Sequence, residues 1–235
     1  MSVRVTTSIW GTAWERYGEK FAKSFTKYWD PKIELSVTVD KKLPFARAQQ
    51  INLHELDDYN TFHKKWKTDP KKPLGNKLFK YDAPKWTPQA ITPKSALNAN
   101  PHWVDGDILI WTDADTEFYD YVDEAWVEKT LNGREAATLQ RKGQHSEIGY
   151  FAIRLNEKTR KAMHRYGDLF PSYDIFKFPE WHSAYAWDIA IREMKVKVHN
   201  LNTSGRKGHV FPNSMLAEKI VHNKGDRKGN YEGTI

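Results

Sequence analysis

The chain has 235 residues, with 37 Lys and Arg against 30 Asp and Glu, a formal net charge of +7 and no Cys. This length is sufficient for a substantial core, and the missing Cys excludes a disulfide scaffold, a thiolate zinc site and a cysteine nucleophile. No apolar run approaches the roughly 18 residues of a membrane helix, and the N-terminus lacks a signal-peptide pattern, so we expect a cytoplasmic protein without membrane contact.

The net charge conceals an uneven distribution along the chain. Residues 64–85 carry a local charge of +6 and residues 206–228 a charge of +4, whereas residues 104–128 hold nine carboxylates and no Lys or Arg. The two basic segments favour a polyanionic partner. The acidic block is locally repulsive, which a bound cation would relieve, although a solvated acidic helix face is the alternative interpretation.

The first forty residues predict a strand, a helix and a second strand. Val3 and Val5 alternate with polar residues, as in a strand. Aromatic residues then recur every three or four positions over 14–28, which predicts an amphipathic helix. Strict alternation over 33–39 predicts the second strand, and the helical connection favours a parallel pair.

The middle of the chain predicts a buried strand at its centre. A weakly patterned helix is predicted over 53–66, and the proline- and lysine-rich residues 68–93 predict an irregular excursion. The apolar run 107–112 is typical of a central strand covered on both faces. A helix over 121–132 follows, with Gly133 as its C-terminal stop.

The remaining elements complete an α/β pattern. Strands are predicted over 136–139, 149–155 and 196–201, and helices over 156–170 and 183–193, capped by Asn156 and Ser183. No internal repeat or linker is evident, so residues 1–235 are interpreted as a single domain. The central sheet is expected to be mixed and mostly parallel, with helices on its faces.

Two carboxylates stand directly after the central strand, in Asp113-Ala114-Asp115. Ligands of open α/β sheets bind at the carboxyl ends of the strands. Two such carboxylates can share Mg²⁺ or Mn²⁺, which prefer oxygen ligands and readily coordinate phosphates as well. The pair therefore predicts a metal–diphosphate site. The alternatives are that one Asp caps the next segment or that both are solvated.

A second candidate segment lies near the C-terminus, at residues 222–228. It combines His222 with Gly225 and the basic residues Lys224, Arg227 and Lys228. A neutral imidazole beside phosphate-binding cations suits a diphosphate held over a metal. The alternatives are a solvated basic tail or a nucleic-acid-binding arm.

Three segments together carry a resemblance to a known family. They are Thr6-Thr7-Ser8-Ile9-Trp10, the ten residues 107–116 and the seven residues 222–228. In this order they resemble the GT-A-fold glycosyltransferases, and most closely the compact ones of large tailed phages and some bacteria. The resemblance implies a Rossmann-like GT-A domain, with a nucleotide-binding half at 1–115 and a sugar and acceptor half, including the basic tail, at 116–235.

The resemblance also implies roles for individual residues. Thr7 and Ser8 would contact the base or ribose of the nucleotide. Asp113 would lie toward the ribose and the metal, and Asp115 would be the main metal ligand. In the glycogenin-like group a late His completes the metal site, which corresponds to His222 here. Lys224, Gly225, Arg227 and Lys228 would lie near the diphosphate, although the closing Pro-Trp of that group is missing from this sequence.

Three further carboxylates are candidates for the catalytic base. Glu147 precedes a strand in a Ser-Glu-x-Gly element that lines the donor sugar pocket in the resembled family. Glu180 and Asp188 flank an aromatic cluster, where rings stack on sugars and carboxylates remove protons. The alternatives are a solvated Glu147 and aromatic side chains that pack in the core.

The resemblance implies transfer of a sugar from a nucleotide sugar, with UDP as the expected nucleotide and Mn²⁺ or Mg²⁺ as cofactor. With the phage-like resemblance, the basic segments favour a hydroxymethylated pyrimidine in DNA as acceptor, in the host cytoplasm if the chain is phage-encoded. The alternatives are transfer to a glycan or protein, a metal-dependent nuclease or nucleotidyltransferase, and a non-catalytic nucleic-acid-binding protein.

Overall fold

A seven-stranded sheet forms the centre of the computed structural model, which describes residues 1–69, 79–204 and 209–223. Its strands, in chain order, are β1 (Val3–Ile9), β2 (Glu34–Val39), β3 (Ala48–Asn52), β4 (Ile108–Thr112), β6 (Ala136–Arg141), β7 (Gln144–Arg154) and β8 (Val198–Asn200). The spatial order is β3-β2-β1-β4-β7-β6-β8. Only the pairs that involve β7 are antiparallel. The prediction of a mixed, mostly parallel sheet is confirmed.

Two more strands form a small separate sheet. They are β5 (Thr116–Phe118) and β9 (Ile220–His222), which pair antiparallel. Neither was predicted, because three-residue strands carry too little alternation to be read from sequence. Their pairing matters for the site, since it joins the C-terminal part of the described chain to the residues that follow β4.

Six α-helices cover the sheet in the described part of the chain. They are α1 (Glu19–Tyr28), α2 (Asp57–Thr68), α3 (Ala83–Asn98), α4 (Glu124–Leu131), α5 (Glu157–Asp168) and α6 (Ser183–Glu193). None of these helices is long and apolar enough to cross a bilayer.

The core lies in two layers, one on each face of the sheet. Along β4, Ile108 and Ile110 belong to the cluster that includes α1 and α4, whereas Leu109 and Trp111 belong to the cluster that includes α5 and α6. Alternate side chains of a strand point to opposite faces, so a strand buried on both faces is apolar throughout. This confirms the central position predicted for the apolar run.

Helix α3 contradicts the prediction of an irregular excursion over 68–93 from residue 83 onward, whereas residues 70–78 of that prediction lie outside the described residues. The helix starts at Ala83 and continues through Pro88 and Pro93. An internal proline costs about 3 kcal/mol in an exposed helix. Here the helix packs on β1, β2 and β4 as well as on α2, α5 and α6, and ten of its residues are buried. Burial on this scale outweighs the local cost of the prolines.

The start of α4 and the cap of α6 differ from the prediction. Helix α4 begins at Glu124 rather than near residue 121, because the backbone of Val122 is bonded to Tyr28 and Asp30. Helix α6 spans the predicted residues, but its cap is the ring of His182 rather than Ser183. The Ser183 hydroxyl instead donates to Gln89. Asn156 caps α5 as predicted, and it does so in a capping box with Thr159.

Candidate metal and donor site

The β5–β9 pair brings His222 to the two aspartates. His222 is opposite Thr116 in the pair, one residue beyond Asp115. Its Nε2 atom lies 3.1 Å from Asp115 Oδ1 and 3.5 Å from Asp113 Oδ2. One ligand atom from each of the three residues lies within 4.8 Å of the others. The three predicted metal ligands therefore face a common point at the carboxyl end of β4.

The carboxylate of Asp113 is held in a fixed orientation by two donors. Its Oδ1 atom accepts hydrogen bonds from Gln89 Nε2 at 2.8 Å and from the indole of Trp111 at 3.0 Å. Oδ2 is left on the side of His222. Because both donors come from buried elements, Asp113 is presented to a cation without a large rotamer penalty.

His222 is buried, with 6% of its surface exposed. Burial lowers the pKa of its imidazole, but the nearby carboxylates of Asp113, Asp115 and Glu147 raise it more, so the pKa lies well above the usual range. The backbone of Gly149 lies directly against the ring, and a Cβ atom there would be 2.6 Å from the His222 ring. The ring therefore has little freedom to move.

Basic side chains from distant parts of the chain neutralise some of the carboxylates of the acidic block, residues 104–128. Glu128 is paired with Arg154, and Asp120 with Lys219. Distant segments thus supply basic partners that the local sequence lacks. The carboxylates of Asp113 and Asp115 instead face an imidazole at the edge of a cleft. Two carboxylates and an imidazole fit Mn²⁺ or Mg²⁺ by donor type.

The site opens into a cleft of about 820 Å³. Ser8 lines it, as do the exposed ring of Trp10 and the ring of Trp86, whereas Thr7 is fully buried and does not. Tyr17 also lines the cleft, and burial together with the nearby Asp115 and Asp113 raises the pKa of its phenol to about 12. A cleft of this size accommodates a nucleotide-sized ligand.

No protein-family model and no curated protein sequence matches the chain. Among solved structures, mouse xyloside xylosyltransferase 1 in its apo form matches over 100% of both chains, with 11% identity and a TM-score of 0.50. The chain has a GT-A-like fold. A glycosyltransferase involved in glycosylation of the major capsid of PBCV-1 matches over 97% of both chains, with 12% identity and a TM-score of 0.49.

Within this GT-A-like fold, Glu147 lies behind the metal site rather than in open solvent. It is 3% exposed and lies on β7. Its Oε1 atom is 2.5 Å from His209 Nδ1, and its Oε2 atom accepts the backbone N–H of Val210 at 3.0 Å. Both oxygens are thus engaged, which the sequence interpretation of a base or a solvated turn did not anticipate.

Asp188 and Glu180 do not line this cleft but a neighbouring pocket, which shares Arg141 and His145 with it. Asp188 accepts two hydrogen bonds from Ser146, one from the hydroxyl at 2.6 Å and one from the backbone at 2.8 Å. Burial raises the pKa of Asp188. Glu180 is paired with Lys80 and lies 2.7 Å from His182 Nε2. Burial raises the pKa of Glu180, but these two partners lower it more.

His145 and His182 pack edge to face beside Glu180, with ring centroids 4.2 Å apart. Burial lowers the pKa of His145 to about 4 and also lowers that of His182. The three residues are spaced closely enough to hold a metal. However, His182 Nδ1 accepts the N–H of Tyr185 as the cap of α6, so its Nε2 carries the hydrogen that faces Glu180. That tautomer leaves no lone pair for a cation.

Several residues of the site were not identified from the sequence. Gln89 lies in the proline-rich segment that was interpreted as irregular, and His209 lies in the tail outside any predicted element. Trp111 was read as core alone, although its indole also bonds Asp113. The predicted diphosphate residues Lys224, Gly225, Arg227 and Lys228 lie outside the described residues.

Proposed function

We propose that the chain is a metal-dependent glycosyltransferase that moves a sugar from a nucleotide sugar, with UDP as the expected nucleotide, to a hydroxyl acceptor. One observation carries the proposal. Asp113, Asp115 and His222 converge at the carboxyl end of β4, at the edge of a nucleotide-sized cleft in a GT-A-like fold. The xylosyltransferase that shares this fold adds support, since its own name denotes sugar transfer.

Asp113, Asp115 and His222 would hold Mn²⁺ or Mg²⁺. Such a cation, when bound, stabilises negative charge on the leaving diphosphate. Gln89 and Trp111 fix Asp113 before the donor arrives, so little reorganisation is needed at the moment of reaction. Ser8, on the rim of the cleft, is the proposed contact to the ribose or base.

Asp188 is the proposed proton acceptor for an inverting reaction, acting through Ser146. Ser146 lines the cleft, and its hydroxyl donates to Asp188 at 2.6 Å. An acceptor hydroxyl at Ser146 would transfer its proton to Ser146 Oγ while Ser146 gives its own to Asp188. The raised pKa of Asp188 suits this role better than the lowered pKa of Glu180.

For the acceptor, we propose a hydroxymethylated pyrimidine in DNA. Arg16, Lys85 and Arg141 line the cleft and would attract a polyanion. Trp10 and Trp86 offer ring faces on which a base that has left the helix stack could lie.

The test combines donor and acceptor screens. Purified protein is incubated with a panel of nucleotide sugars and Mn²⁺, and nucleoside diphosphate release is measured with and without hydroxymethylated duplex DNA. The proposal expects metal-dependent release that Asp115→Asn abolishes, and glycosylated nucleosides in the digested DNA. Transfer only to a glycan or protein would remove the DNA acceptor, and DNA cleavage without any donor would indicate a nuclease. Release from no donor would refute glycosyl transfer.

A further inference from the structure

A buried carboxylate lies on the far side of His222 from the aspartates. Glu147 is anchored by the segment that follows residue 208, through His209 Nδ1 at 2.5 Å and the N–H of Val210 at 3.0 Å. A carboxylate that is 97% hidden from solvent is costly unless it is paired, so these bonds fix its position as well as its charge.

The other face of His222 is turned to this carboxylate. His222 Nδ1 lies 3.4 Å from Glu147 Oε1 and makes no hydrogen bond of normal geometry with the described residues. A buried imidazole N–H needs an acceptor, and Glu147 supplies one on that side. The Nε2 atom, on the opposite side of the ring, faces Asp115 and Asp113.

We propose that Glu147 is a positioning residue of the metal site: it accepts the Nδ1–H of His222 and so keeps the Nε2 lone pair directed at the cation. His209 and Val210 hold Glu147 in place for this task. Carboxylates that bond the remote nitrogen of a metal-ligating His fix its tautomer and raise its basicity. The inference rests on the metal site of the proposed function, and it gives Glu147 a role other than that of a base.

The backbone of Gly149 provides independent support, because it restricts the position of the His222 ring. Its Cα lies so close to His222 that a Cβ would meet Cε1 at 2.6 Å and Nδ1 at 2.7 Å. The rings of Phe211 and His209 pack on His222 at 5.3 Å and 5.5 Å between centroids. The ring is therefore confined between Glu147 and the aspartates, with its two nitrogens assigned to opposite partners.

The test measures Mn²⁺ affinity directly, by calorimetric titration in the presence of UDP. Glu147→Gln keeps the size of the side chain but can present an amide N–H to Nδ1, which favours the tautomer with hydrogen on Nε2. We expect Mn²⁺ binding to weaken by about 10- to 100-fold. Glu147→Asp, which retains the carboxylate, should bind Mn²⁺ more tightly than Glu147→Gln. Ile153→Val, on the same strand but buried in the opposite core layer, is the matched control and should bind like wild type.

A second measurement does not depend on how the variant folds. Nitrogen-15 spectra of the histidines of the wild-type protein with Mg²⁺ and UDP should show His222 protonated at Nδ1 alone. The role of Glu147 would be overturned by a hydrogen on Nε2 of His222, or by equal Mn²⁺ affinity of the wild type and a folded Glu147→Gln variant. Neither result would contradict the metal site itself. A wild-type protein that binds no divalent cation would overturn both.

Discussion

Replacing Gly149 by Ala tests how tightly the fold confines the imidazole of His222, a proposed metal ligand. The added Cβ would lie 2.6 Å from His222 Cε1, whereas ordinary contact begins at 3.4 Å. The ring must therefore move by about 0.8 Å, which exceeds the roughly 0.2 Å tolerance of a metal–ligand distance. Neighbouring rings of Phe211 and His209 limit other ways to relax.

The expected consequence is a loss of about 10- to 100-fold in Mn²⁺ affinity, which corresponds to about 1.4 to 2.7 kcal/mol. The overpacking itself should cost about 1 to 3 kcal/mol of folding stability. Calorimetric titration with Mn²⁺ and UDP measures the first quantity, and thermal unfolding without metal measures the second. Ile153→Val serves as the control for stability alone, at about 0.5 to 1.5 kcal/mol. A folded Gly149→Ala variant with wild-type Mn²⁺ affinity would refute the reasoning.

Three further predictions concern residues in and next to the cleft. Asp188→Asn should lower kcat by about 10²- to 10⁴-fold with unchanged donor affinity, as measured by steady-state kinetics and calorimetry; an unchanged kcat would remove Asp188 from the proton path. Gln89→Met removes a donor to Asp113 at similar volume, and Mn²⁺ titration should show about tenfold weaker binding. Burial lowers the pKa of His145 from 6.5 to about 4, so between these pH values the unfolded chain binds more protons than the folded chain. The free energy of unfolding should therefore decrease by up to about 3 kcal/mol as the pH falls from 6.5 to 4. Urea unfolding across this pH range should show that the free energy of unfolding changes less with pH in His145→Gln than in the wild type. An equal change in the two proteins would contradict the lowered pKa of His145.

The parts of the fold that sequence patterns predicted are those governed by local periodicity. The apolar β4 run specified a central strand, and with it the position of Asp113 and Asp115 at a ligand-binding edge. The helix cap at Asn156 was also predicted, from the residue type and its position alone. By contrast, helix α3 is stabilised by burial against several elements, whereas its local proline content predicted an irregular segment.

The parts of the site that sequence did not predict depend on pairing between distant segments. The family resemblance implied that His222 lies near the metal, but its contact with Asp115 exists because β9 pairs with β5. The surroundings of Glu147 depend on residues more than sixty positions away, such as His209. No periodicity or spacing rule carries that information, so Glu147 was interpreted from its immediate neighbours alone.

The most direct test of the account is a Mn²⁺ titration of the wild-type protein and Asp115→Asn, each with UDP and followed by calorimetry. The account predicts saturable binding of one Mn²⁺ per chain in the wild type and binding weakened at least tenfold in Asp115→Asn, with both proteins folded. Equal binding by the two proteins, or none by either, would contradict the assignment of Asp113, Asp115 and His222 as the metal centre of a glycosyltransferase.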